Sequence, residues 1–134
     1  MTTFALDTNI ISYLLKDNTQ VFKRYRQEIR YGNDIIIPPV AYYEIKRWLL
    51  LKNAAKQAKS FEQLYDEFGI GEMPIAVWDE AARLYAIHTK QGTPIGDADI
   101  LIAAFCIVSG YTLVTHNTKD FENIEGLQLV DWTV

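Results

Sequence analysis

The chain has 134 residues, 49% of them hydrophobic, and a formal net charge of −4. That is enough chain and apolar material for one packed core, so wholesale disorder is excluded and a single domain over residues 1–134 is expected. The acidic balance argues against a general nucleic-acid binder working through a broad basic surface.

Two basic segments temper that exclusion. Lys23, Arg24, Arg26 and Arg30 form one; Lys46, Arg47, Lys52, Lys56 and Lys59 form the other. They read either as solvated helix faces or as a basic rim around an acidic centre. The longest nearly unbroken apolar stretch, Ile100 to Val108, is too short to span a bilayer, so no membrane partner is expected. No basic segment followed by a long apolar one opens the chain, and the single Cys106 sits in an apolar run, as a reduced buried thiol would. A cytoplasmic protein is the default expectation.

Thr3 to Leu6 reads as a short buried strand running into Asp7. Thr8 is a good N-cap, and Ile10, Ile11, Leu14 and Leu15 then repeat at helical spacing. Val21 to Tyr31 predicts a second helix, closed by Gly32-Asn33. Ile35 to Ile37 is a β-branched strand, and Pro38-Pro39 opens a helix over Val40 to Leu51. A further helix spans Ala54 to Phe68. Met73 to Val77 is expected as a strand, followed by a helical stripe of Trp78, Ala81, Ala82 and Tyr85. Asp97 to Val108 predicts the most apolar helix, Tyr111 to Val114 a strand, and Leu127 to Val130 an edge strand. Strands alternating with helices call for an α/β fold with a parallel sheet covered on both faces.

Four acids fall at or after the ends of these elements: Asp7, Glu44, Asp99 and Asp120. In an open α/β sheet such positions surround one crevice outside the carboxyl ends of the strands. Carboxylates gathered there repel one another and invite a hard divalent cation. Each acid also has a plainer reading. Asp7 could cap the following helix, although Thr8 can do that work. Glu44 early in a helix suits the helix dipole. Thr115, Asn117 and Asp120 could belong to an ordinary polar turn. Asp97 and Asp99 are two apart and do not share a helix face. Asp99 lies over Ile102, Ala103 and Cys106, where an acid is costly unless neutralised, so Asp99 is the better ligand and Asp97 the better cap.

Other chemistries fit poorly. A haloacid-dehalogenase site needs a second Asp where this chain has Asn9, and a receiver domain would want paired acids near its first strand, with Lys119 alone as weak support. No Gly-x-Ser-x-Gly, cysteine–histidine pairing or phosphate-binding glycine loop is present. One cysteine and two histidines do not build a structural zinc site; His88 reads as structural, and His116 is a loop histidine.

Taken together, Asp7-Thr8-Asn9-Ile10, Glu44, Ile95-Gly96 with Asp99 to Ala104, Leu113 to Phe121 and the tail Ile124 to Leu127 closing on Asp131-Trp132 resemble the PIN-domain nucleases, and among them the VapC-type toxins of toxin–antitoxin pairs. The resemblance covers almost the whole chain. It implies a PIN-like three-layer sandwich with a small central parallel sheet. It implies a Mg²⁺- or Mn²⁺-dependent endoribonuclease that cuts cellular RNA, tRNA among the candidates, acts as a homodimer and is restrained by a cognate antitoxin. Asp7, Glu44 and Asp99 match the three central family acids. Asp7 and Asp99 would bind metal directly, while Glu44 and Asp120 would act through water or shape the site. Thr8, Asn9, Thr115 and Asn117 would support ligands or position substrate, as would Asp97, an extra acid that the family pattern does not require. Asn117 stands where some members carry an acid, with Asp120 as the acid three residues later. The aromatics Tyr42, Tyr43 and Trp48 read either as core or as a partner surface. A non-catalytic PIN-like protein or RNA-binding module is the alternative.

Overall fold

The computed structural model describes residues 1–134. Four short strands, β1 (Thr3–Leu6), β2 (Asp34–Ile36), β3 (Thr112–Val114) and β4 (Gln128–Val130), form one sheet in the order β2-β1-β3-β4. Every pairing is parallel. Parallel neighbours need long crossovers, and seven helices supply them: α1 (Thr8–Leu15), α2 (Thr19–Arg30), α3 (Pro39–Lys52), α4 (Ala55–Phe68), α5 (Ile75–Lys90), α6 (Asp97–Ser109) and α7 (Thr118–Phe121). The chain steps from β1 to β2 in one direction, then passes back beyond β1 to β3 and β4. Right-handed crossovers taken in opposite directions place helices on opposite faces, which gives the expected layered α/β sandwich.

Helix limits follow local chemistry. The Asn18 side chain accepts a hydrogen bond from Val21 N at 3.0 Å and starts α2. Pro38 and Pro39 start α3, where the missing N–H groups cost nothing. Gly110, at φ 74°, closes α6 in the left-handed conformation that glycine adopts without penalty. The centre of the molecule is one cluster of 27 buried apolar residues, drawn from β1 to β3, all seven helices and the segments around them, so sheet and helices share a continuous core.

Two expectations are corrected. Met73 to Val77 is not a strand: Met73 and Pro74 form a connection, and Ile75 begins α5. The short parallel bridge nearby is instead Ile37 with Ile70. The buried face of α5 is Val77, Ala81, Leu84 and His88, one residue out of phase with the predicted stripe; Trp78 and Tyr85 are exposed. Small Ala81 suits the close approach of α5 to α6. Gly71 is glycine for a packing reason: a Cβ there would run into the Phe105 ring.

Candidate active site

β1 and β3 lie side by side, with Leu6 opposite Val114. Asp7 N continues the ladder one residue further by donating to Val114 O at 2.9 Å. Asp7 thus leaves the sheet at its carboxyl edge, where β2 lies on one side of β1 and β3 on the other. That is the switch point at which open α/β sheets form their crevice.

Asp7 is only 5% exposed. Its Oδ1 accepts from Thr8 N at 2.8 Å, and its Oδ2 accepts from Thr115 Oγ1 at 2.8 Å and from Asn9 Nδ2 at 3.3 Å. Burial raises the Asp7 pKa; these hydrogen bonds oppose the rise and Glu44 adds to it. Asp7, and not Thr8, occupies the N-cap of α1. The capping reading therefore holds for one oxygen of Asp7, while Oδ2 is held across the sheet by Thr115. Thr8 is left free to bond elsewhere, and its hydroxyl donates to Glu44 Oε1 at 2.7 Å. Arg47 Nη2 stands 3.9 Å from the other Glu44 oxygen.

Thr115 is fully buried, and its hydroxyl also accepts from Asn117 N at 3.0 Å. Asn9 joins the same network: its Nδ2 lies 3.4 Å from Thr115 Oγ1, and its Oδ1 accepts from His116 N at 3.0 Å. The His116 ring turns toward the C-terminal tail, with Nδ1 2.9 Å from Thr133 Oγ1 and 3.4 Å from Asp131 Oδ2. His88 is buried beside Thr93, in keeping with a structural role.

Asp99 enters from the first turn of α6 and is held differently. No protein group donates a hydrogen bond to its half-buried carboxylate. Burial pushes its pKa up to about 6, reinforced by the negative charges of Asp7, Asp120 and Glu44. Asp97 is exposed at the first position of α6. Gly96 is the N-cap and no side chain caps the helix, so the expectation that Asp97 caps it is corrected. An extended Gly96 already satisfies the geometry that an Asp cap would need.

Asp7, Glu44 and Asp99 line one cleft of about 710 Å³ together with Thr8, Asn9 and Asn117. Ser12, Lys16, Ile45, Arg47, Trp48 and Leu51 complete its wall. Asp120 faces a neighbouring cavity of about 360 Å³, which Asp99 also lines. The structure therefore gathers three of the four acids into one cleft, sets Asp120 next door through Asp99, and leaves Asp97 outside both. Sequence reasoning missed Ser12 and Lys16, although Thr8, Ser12 and Lys16 recur at a spacing of four and mark a polar stripe along α1.

The donors fit a hard divalent cation in kind: they are all carboxylate oxygens, and Asp99 has no protein partner for its charge. They do not form a closed cage, since no three acidic, cysteine or histidine side chains converge tightly enough for that. No helix is long and apolar enough to cross a membrane.

The sequence pattern of the PIN domain family matches residues 4–127. The chain belongs to the PIN domain family. Along its length it is 28% identical to Ribonuclease VapC1 of Haemophilus influenzae (strain R2866), over 97% of this chain and 98% of that protein. It is 27% identical to the tRNA(fMet)-specific endonuclease VapC of Shigella flexneri, over 99% of this chain and all of that protein. Among solved structures, VapBC-1 from nontypeable H. influenzae superposes with a TM-score of 0.87 at 26% identity, covering 99% of this chain and 100% of that one. The PIN fold expected from the sequence, with its small parallel sheet, is the fold observed.

Proposed function

We propose that this PIN-domain chain is a VapC-type endoribonuclease, a toxin neutralised by a cognate antitoxin, with residues 1–134 acting as one catalytic domain. The observation that carries this reading is the meeting of Asp7, Glu44 and Asp99 in one cleft at the sheet's switch point, in a chain similar end to end to VapC ribonucleases. Asp7 and Asp99 would hold Mg²⁺ or Mn²⁺, with Glu44 adjacent and Asp120 at the margin. The bound ion would lower the pKa of a water and offset charge on the phosphodiester.

The chain's own residues prepare that chemistry. Thr115 and Thr8 N fix the Asp7 carboxylate in one orientation. The Thr8 hydroxyl fixes Glu44. Asn9 ties Asp7 to the segment after β3 by bonding the Asp7 carboxylate and His116 N. Asn117 faces the same cleft, placed to position substrate. An antitoxin segment offering a basic side chain would satisfy the unpartnered Asp99. Exposed Tyr43, Ile75 and Trp78 support a homodimer contact; Tyr42 instead packs against Phe61 and Tyr65. A tRNA target is supported by the Shigella relative, and cytoplasmic action follows from that substrate.

The test is cleavage of total RNA and purified tRNA by the protein with Mg²⁺, with EDTA, and after Asp7→Asn or Asp99→Asn. Losing one ligand removes several kcal/mol of transition-state stabilisation, so each variant is expected to lose roughly 100-fold or more in rate. If both variants cut like the parent, the assignment is wrong. If the parent binds RNA without cutting it, the non-catalytic alternative takes its place.

A further inference from the structure

Asp99 forms the divide between two cavities, and the second has no role in the site described so far. On one side lies the cleft of Asp7 and Glu44, where two cations stand on the wall: Arg47 beside Glu44, and Lys16, whose Nζ sits 5.7 Å from the centre of the Trp48 ring. On the other side lies the 360 Å³ cavity bounded by Thr93, Gly96, Asp99, Lys119, Asp120 and Asn123. Its lining is almost wholly polar, and Lys119 is its one Lys or Arg. Lys119 is exposed and makes no ion pair, with Asp120 or with any other acid. A lysine beside two carboxylates that pairs with neither has its charge available to a third party.

A nucleic-acid strand carries a phosphate at every nucleotide, and this chain is net acidic. Bringing one phosphodiester to the carboxylates therefore also brings its neighbours on both sides close to negative charge. Repulsion is relieved only if cations flank the acids along the strand's course. Lys16 and Arg47 do this at one end. At the other end Lys119 is the cation in place.

We propose that the RNA strand crosses Asp99 from the Trp48 cleft into the adjacent cavity, and that Lys119 binds the backbone phosphate on that far side. This rests on the nuclease reading above. Lys119 is then a substrate-binding residue, contributing through charge and reach and carrying no sequence preference. Lysine suits that role as a flexible point charge, and arginine can substitute for it.

Binding separates this inference from catalysis. The probe is a short fluorescein-labelled RNA of mixed sequence, titrated by fluorescence anisotropy into the Asp7→Asn protein, which keeps Asp99 and Lys119 in place. Adding Lys119→Gln is expected to weaken binding about 3- to 10-fold and to lower the slope of log affinity against log salt by about one, as for one lost phosphate contact. Lys119→Arg is expected to restore both. In the otherwise unaltered enzyme, Lys119→Gln should raise KM with kcat changed less than about twofold. An unchanged salt slope and affinity overturn the inference. So does a loss that falls on kcat alone, which would place Lys119 at the reacting phosphate. Should the parent fail to cut RNA while Lys119→Gln still flattens the salt slope, the nuclease reading falls and the strand's path stands.

Discussion

Asp7 and Asp99, which line one cleft, are held in opposite ways. Asp7 sits in a corner made by the ends of two central strands, and three groups donate hydrogen bonds to its carboxylate. Asp99 stands on the first turn of a helix, and no protein group donates to it. The first corner uses protein groups to fix a charge; the second leaves a charge for something else to neutralise. A buried carboxylate with several donors is a rigid fixture, whereas a half-buried one without donors answers to whatever cation arrives. A site built from like charges therefore need not treat its members alike. One carboxylate can be preset and the other left to be set by whatever binds it.

The largest test of this contrast is Thr115→Val. The substitution nearly preserves shape but removes the hydroxyl that donates to Asp7 Oδ2 and accepts from Asn117 N. A buried charged group then loses its partner, which costs roughly 2–3 kcal/mol. Chemical denaturation of the metal-free protein measures it. A cost below about 0.5 kcal/mol would mean that the β1–β3 corner does not depend on this bond, and the contrast would fail at its rigid end.

Asp99 offers a test of the opposite sign. Its pKa in the fold is about 6, against an ordinary 3.8, so between those values the folded state binds more protons than the unfolded one. The stability this group contributes is full below pH 3.8 and is lost as pH rises through about 6. Asp99→Asn removes that loss. At pH 8 without metal the variant is expected to be more stable than the parent by roughly 1 kcal/mol, the solvent that reaches the half-buried carboxylate having screened the rest. Near pH 4 the two should converge. Subtracting the two pH profiles cancels the lowered groups, Asp131 and Glu80, whose stabilisation runs the other way. Mg²⁺ should then stabilise the parent above pH 6 and act on the variant far less. Equal stability of the two proteins at pH 8 would show that Asp99 is already neutralised within the fold.

These contrasts are only partly legible in the sequence. The strand-end position of Asp7 and the stripe beneath Asp99 are readable, because apolar runs and helical spacing mark them directly. Their unequal support is not. Thr115 lies 108 positions from Asp7, and nothing local announces that its hydroxyl crosses to it. The two caps depart from expectation for a related reason: Thr8 and Asp97 are good cap residues by propensity, but their surroundings decide otherwise. Glu44 draws the Thr8 hydroxyl away, and Gly96 needs no side chain. On α5 the large aromatics suggest the buried face. Packing against α6 prefers Ala81, Leu84 and even His88 inside, leaving Trp78 and Tyr85 at the surface. Glu44 has the least local signal of the three clustered acids, and only the fold brings α3 to α1.

The smallest expected effect is also the most discriminating about which acid of the Asp97–Asp99 pair belongs to the site. Both lie in the first turn of α6, so both gain from the helix dipole, by about 0.3–1 kcal/mol at an exposed position. Asp97→Asn gives up only that, because its side chain makes no capping bond and lines neither cavity. Stability is expected to fall by an amount near the lower end of that range, about 0.5 kcal/mol, as is usual for a surface position. Its pH profile should keep the parent's fall through about 6, since that belongs to Asp99. Isothermal titration with Mn²⁺ should give the parent's affinity for Asp97→Asn and a much weaker one for Asp99→Asn. The reverse pattern would require α6 to rotate by roughly half a turn about its axis, since residues two apart point about 160° from one another. That would pull Ile102, Ala103 and Cys106 out of the core in which they are now buried. Those three side chains hold Asp99 toward the cleft and Asp97 toward solvent.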